Sequence, residues 1–306
     1  MKNLINFDIT KNQFDETIAD RKMHLIRGAV DAKLLKWSDV DSALYYSDIT
    51  SPNMRLHKNG VIPPVDYIEE FISGGRTLHR LNTSSVQSLL STGATAVLNR
   101  IDSRHELIRK LCDEVAHFTD ADTTANAYIA FSGEGSFGAH WDTHDVAVIQ
   151  LIGKKHWRIY PPTFKSPLPG QLSKEFKSDR PSKPIFEGII EAGDLLYLPR
   201  GWWHEVLPIG ETFHIAIGMY SPYILHYISW LLQTSLTQHE EFRKTMRSNT
   251  VTEEAILRAS LILTEQLNDT NRLSAFKEEV KKKRANPRMP FSLESIANMS
   301  YSSKSL

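Results

Sequence analysis

The chain has 306 residues, 41 % apolar and 24 % charged, enough to bury a large core as one big domain or two smaller ones. Its 36 basic and 36 acidic side chains cancel, so no long-range field draws the whole molecule to nucleic acid or a membrane surface. A single cysteine, Cys112, rules out an intrachain disulfide and suits a reducing cytoplasm, which is the expected location.

The opening "MKNLINFDITKNQFDE" lacks the apolar stretch of a signal peptide, and no run approaches the ~18 apolar residues of a membrane span. Residues 1 to about 120 mix helices and short strands. "PPVDYIEEFISGG" starts at Pro63-Pro64 and stops at Gly74-Gly75, which predicts a short helix. "SRHELIRKLCDEVAHF" predicts another: Ser103 and Glu106 form a capping-box pattern, and Leu107, Ile108, Leu111 and Val115 make one apolar stripe. Cys112 falls inside that pattern and is expected to pack.

From about 121 to 222 the pattern becomes strand-like. "NAYIAF", "VAVIQLIG", "HWRIYPP", "DLLYLPRG" and "FHIAIGMY" are short apolar or alternating runs between glycine and proline turns. They predict an antiparallel sandwich or barrel, of which the double-stranded jelly roll is one form. After about 223 strand signals vanish. "YILHYISWLLQTSL", "EEAILRASLILTEQL" and "RLSAFKEEVKKK" repeat apolar residues at helical spacing, which predicts leucine-rich helices over 223–285 that cap the sheet or form a dimer interface. "KKKR" at 281–284 reads as a solvated helix end rather than a nucleic-acid patch. The tail from Asn286 to Leu306 reads as loosely ordered.

The chemistry concentrates in "FGAHWDTHDVAVIQLIGKKHWRIYPP". On a strand, side chains alternate between faces, so His140 and Asp142 would point one way and Trp141 the other. They would take adjacent positions around one metal ion. The best third ligand is His204 in "GDLLYLPRGWWHEV", which a Pro-Arg-Gly turn brings to a strand start. Singly, these residues read more readily as a core histidine and a turn aspartate; the two independently placed features together make a ligand set. Two histidines and a carboxylate leave open coordination positions and suit iron(II), which then takes a cosubstrate and dioxygen. The same donors also hold zinc. "HWDTH" is not the helical zinc-protease motif, since it lacks the glutamate base and runs into strand-like residues. Strict alternation puts His144 on the ligand face too, as an alternative ligand or a residue facing substrate. His156 and His214 are expected to pack or to support the site.

These stretches, "NAYIAFSGEGSFGAHWDTHDVAVIQLIGKKHWRIYPP" above all, resemble the JmjC-type, cupin-fold oxygenases that use iron(II) and 2-oxoglutarate, and among them the ribosomal-protein hydroxylases. A weaker similarity lies in "HLIRGAV" and "GATAVLNRID". The resemblance implies a mainly β fold with helices: a double-stranded β-helix with an N-terminal α/β elaboration. It places the catalytic domain at 1–222 with the barrel at about 121–222, followed by a dimerising helical region at 223–285. It makes His140, Asp142 and His204 iron ligands. It assigns Lys155 and Tyr128 to the distal carboxylate of 2-oxoglutarate and Asn126 to the pocket lining. A buried dicarboxylate does need a fixed cation and charge-assisted hydrogen bonds.

The function so implied is hydroxylation of a C–H bond, first of all on a protein or peptide side chain, using O2 and releasing succinate and carbon dioxide. A small molecule or tRNA as substrate, a non-catalytic metal-binding cupin module, and a zinc hydrolase on the same barrel are the alternatives. Membrane partners are not expected, and the net charge gives nucleic acid no support.

Overall fold

β-Branched and aromatic runs favour a pleated, half-buried surface, and residues 122–220 of the computed structural model form long antiparallel strands. The structure describes residues 3–47, 49, 53–133, 135–246 and 252–284; the tail expected at 286–306 lies outside them. Two compact units divide the chain, Met1–Ser221 and Pro222–Leu306.

In chain order the first unit holds α1 (Lys11–Thr17), β1 (His24–Ile26), α2 (Trp37–Tyr45), β2 (Met54–His57), β3 (Ile68–Ser73), β4 (Arg76–Leu81), α3 (Thr83–Ser91), β5 (Thr95–Leu98), α4 (Glu106–Thr119), β6 (Asp122–Ala130), β7 (Asp145–Tyr160), β8 (Phe186–Glu191), β9 (Leu195–Leu198) and β10 (Trp203–Tyr220). The large sheet runs β1-β9-β7-β10-β6-β5-β2, with β8 on β7. β7 pairs with β9 through residues 146–149 and with β8 through 154–159. β10 pairs with β7 along nearly its whole length but with β6 only from Thr212 onward. A register shift between Ile209 and Thr212, opposite Gly153, bends both long strands. β7 and β10 therefore belong to two layers at once, and the layers wrap into a double-stranded β-helix, a jelly roll. One face of the sheets packs a core that includes Leu56, Leu98, Ile149 and Phe213. Helix α4 closes it with Ile108, Leu111, Cys112 and Val115, each large apolar side chain there contributing about 1.5–3 kcal/mol. A second cluster, with Val146, Val148, Trp157 and Leu198, lines the barrel interior.

Three sequence expectations are corrected. "PPVDYIEEFISGG" is not a helix: a short turn at Pro64–Asp66 leads into β3, which forms a hairpin with β4. Gly74 and Gly75 both have positive φ, 57° and 73°, the requirement of a two-residue hairpin turn. Ser103 does not cap α4; its hydroxyl donates to the Arg100 carbonyl within the preceding turn, and the helix starts at Glu106. "VAVIQLIG" and "HWRIYPP" are one strand, β7, because the glycine between them stays paired, with Thr212, opposite a bulge in β10 and makes no turn.

The second unit contains α5 (Ile224–Thr234), α6 (Glu240–Arg243), α7 (Glu253–Asn268) and α8 (Thr270–Arg284), and strands are absent among its described residues. Tyr227, Leu231 and Phe276 form its core, with Trp230 against them. Ile256, Leu257 and Leu261 on α7 remain exposed. Lys281, Lys282 and Lys283 are exposed at the end of α8. Among the described residues no helix is long and apolar enough to cross a membrane.

Candidate metal centre

Two backbone segments converge at the barrel mouth. His140 exchanges main-chain hydrogen bonds with His204, N to O at 3.0 Å and 2.8 Å, forming a single antiparallel bridge. The Gly201 N–H donates to the Asp142 carbonyl at 2.9 Å. Gly201 (φ +81°) has to be glycine, since a Cβ would lie 2.6 Å from the Phe164 carbonyl oxygen. Asp145 ties the same two segments from the other side. Its carboxylate accepts the Arg200 N–H at 2.9 Å and the Tyr197 hydroxyl at 2.8 Å.

The strand placement expected for His140 and Asp142 is corrected here. Only His140 makes a sheet-like pair, and residues 141–144 are irregular until β7 begins. The loop still sends the side chains to opposite sides. Trp141 packs with Tyr160 and Trp203 away from the cavity, while His140 and Asp142 face it.

His140, Asp142 and His204 each offer a ligand atom within 4.8 Å of the others. The His204 Nε2 stands 3.8 Å from the Asp142 Oδ2, and the two imidazole centroids are 4.3 Å apart. Each imidazole donates its Nδ1–H to a carbonyl two residues back, His140 to Gly138 at 3.0 Å and His204 to Trp202 at 3.1 Å. Those bonds fix the tautomer and leave both Nε2 lone pairs free, the arrangement found behind metal-binding histidines. Burial, with His140 beside it, lowers His204 to about 4, so it is unprotonated at neutral pH. Burial alone would raise the Asp142 carboxyl, but His140, His204 and His144 hold it below its ordinary value. Two imidazoles and one carboxylate on one side of a cavity fit a divalent ion with open positions.

That cavity, about 120 Å³, runs inward from the triad to Lys155. Lys155 is 5 % exposed and has no carboxylate in ion-pair range among the described residues. Burial pushes its ammonium down to about 7. Tyr128 lies on the cavity wall, its phenol raised by burial and then by the Asp142 charge, so it remains a hydroxyl donor. Asn126 does not line the cavity. Its Oδ1 accepts the Arg100 N–H at 3.1 Å, and its side chain hydrogen-bonds Tyr128. His144 lies outside the cavity wall, stacked on Tyr220. His156 points outward to Glu187, at 3.4 Å.

Sequence reasoning underrated His214 and Trp157. His214 lines the cavity, stacks on Tyr128 at 4.7 Å, and is held well below its ordinary pKa by burial and then by Lys155. Trp157 stacks against His204 at 6.0 Å. Both sit in apolar strand runs; alternation from Lys155 along β7 could have found Trp157, and nothing local marks His214.

Residues 96–227 match the family model described as the JmjC domain. This stretch is similar to a JmjC domain. It contains the triad, Lys155, Tyr128 and His214. Curated relatives match over stretches of similar length. Ribosomal oxygenase 1 of Danio rerio is 34 % identical over 128 residues, 39 % of this chain and 24 % of the relative. The bifunctional lysine-specific demethylase and histidyl-hydroxylase NO66 of Dictyostelium discoideum is 36 % identical over 114 residues, 36 % of this chain and 22 % of the relative. The chain thus spans a quarter or less of the length of these proteins. Among solved structures, the ribosomal oxygenase YcfD of Escherichia coli in complex with cobalt and 2-oxoglutarate superposes with a TM-score of 0.57 at 16 % identity, covering 90 % of this chain and 72 % of that one. The chain therefore shares the jelly-roll fold of that structure.

Proposed function

We propose that the chain is an iron(II)- and 2-oxoglutarate-dependent oxygenase that hydroxylates a protein or peptide side chain. One observation carries the reading: an open three-ligand set and a buried, unpaired lysine share one small cavity. The first suits a divalent metal, and the second calls for an anion. A dicarboxylate that reaches both satisfies both. The names of the curated relatives, ribosomal oxygenase and histidyl-hydroxylase, support a protein substrate.

When bound, the metal with 2-oxoglutarate and dioxygen supplies the oxidising chemistry, decarboxylating the cosubstrate to succinate and inserting one oxygen atom into a C–H bond. His140, Asp142 and His204 hold the ion from one side. The carbonyls of Gly138 and Trp202 keep the two imidazoles oriented. Lys155 and the Tyr128 hydroxyl hold the far carboxylate, and Asn126 steadies Tyr128. Val146, Val148, Leu198 and Ala216 exclude water around it. The exposed apolar face of α7 serves a homodimer, and the enzyme works in the cytoplasm.

Asp142→Ala tests the reading. Purified protein should form succinate from 2-oxoglutarate only with iron(II) and dioxygen, and the variant should form none. Unaltered succinate formation in the variant would refute the ligand assignment. Metal binding without succinate formation in the wild type would mark a non-catalytic module, and oxygen-independent activity a hydrolase.

A further inference from the structure

Along β10 the inward positions run His214, Ala216, Gly218 and Tyr220, and the first two line the cavity. Gly218 has an ordinary backbone conformation, so its missing side chain serves space rather than torsion. A Cβ there would meet the His144 ring at 2.6 Å (Cδ2) and 2.7 Å (Nε2), and the Tyr220 hydroxyl at 3.1 Å. The two rings are parallel, 5.0 Å apart with 10° between planes. An imidazole edge and a phenol oxygen therefore converge over one point of the barrel's inner face. His144 lies close to Asp142 and His204, and Tyr220 lies close to Tyr128. Neither the His144 ring nitrogens nor the Tyr220 hydroxyl has a hydrogen-bond partner among the described residues. Tyr220 is 44 % exposed.

We infer that His144 and Tyr220 form a two-point rim that positions the substrate by hydrogen bonding a neutral amide group of the bound polypeptide, a deduction that rests on the oxygenase reading above. The chemistry selects the group. An imidazole and a phenol side by side each donate and accept, and an amide presents one donor and one acceptor. A second carboxylate at this place would face Asp142, and like charges repel. The rim fixes which C–H bond stands at the metal, so its loss loosens substrate binding and wastes cosubstrate.

The test uses the full chain with iron(II), 2-oxoglutarate and oxygen. The probe is total protein stripped from ribosomes of a strain lacking this chain, followed by a synthetic peptide around any residue that gains one oxygen. His144→Ala and Tyr220→Phe should each raise the peptide KM about tenfold, the loss of one hydrogen bond, with a smaller change in kcat. Both should raise the succinate formed per oxygen inserted. His144→Asn, which keeps a donor and an acceptor, should recover most of the KM. Gly218→Ala, which displaces the His144 ring, should reproduce the His144→Ala defect. An unchanged peptide KM in both His144→Ala and Tyr220→Phe overturns the rim. Wild-type protein that forms no succinate instead overturns the oxygenase reading itself. Succinate formation with no oxygen gained by any protein overturns the polypeptide substrate and the rim together.

Discussion

Replacing Lys155 by methionine removes the cavity's cation while keeping its stem. The side chain is 5 % exposed, and no carboxylate among the described residues compensates it. Leaving a buried carboxylate without its partner costs about 3–5 kcal/mol, or about 10²- to 10³-fold or more in affinity. Anaerobic calorimetry of 2-oxoglutarate into the iron(II)-loaded protein measures that loss. The pH dependence gives a second arm. Burial puts the free lysine at about 7, whereas it titrates at 10.5 in its ordinary state. Below pH 7 it is already charged. Above pH 7 it must take up a proton to receive an anion, so the wild-type dissociation constant should rise by about tenfold per pH unit, and heats should vary with buffer ionisation enthalpy. Lys155→Arg, charged throughout, should remove both effects. For the empty protein the sign is opposite. The depressed lysine favours folding most above its unfolded pKa of 10.5 and loses that contribution as pH falls toward 7. Lys155→Met should therefore melt higher than wild type at pH 6. Binding by Lys155→Met within a few-fold of wild type, at any pH in this window, would refute the anion-holding role.

Gly201→Ala should lower the melting temperature by several degrees, because it combines about 1–3 kcal/mol of backbone strain with a Cβ 2.6 Å from the Phe164 carbonyl oxygen; it should also weaken iron binding through His204, and an unshifted melting curve would contradict the turn's role. Leu257→Glu with Leu261→Glu, at positions 59 % and 62 % exposed, should cost the unit little stability. Light scattering should show the change from dimer to monomer, and an identical mass for both proteins would remove the dimer assignment.

Much of the site was readable because its residues are spaced by local geometry. His140 and Asp142 lie on one short loop, and the Pro-Arg-Gly turn before His204 marks where the second segment enters. Lys155 was reached only through the resemblance, since the sequence does not tell it from Lys154 beside it; the structure buries the first and exposes the second. What could not be read depends on pairing between distant strands. His214 looks like packing inside "FHIAIGMY" until the register sets it opposite Tyr128. The β3–β4 hairpin was missed because proline and glycine punctuate helices and hairpins alike, and only the torsions of Gly74 and Gly75 distinguish them. The joining of two apolar runs into β7 was hidden for a related reason: the glycine between them was read as turn punctuation, and only its pairing with Thr212 shows that the strand continues.

The bend shared by β7 and β10 has a consequence for selectivity among small acids. The metal end of the cavity is anchored where His204 enters β10, and its cationic end where Lys155 sits on β7, beside Pro208 of the same β10. Pleated strands can slip only in whole steps that exchange inner and outer faces. The span between the two ends is therefore a gauge of fixed length, machined by strand register, and a diacid one carbon shorter or longer than the fitted one would have to leave one of its two anchors unmet.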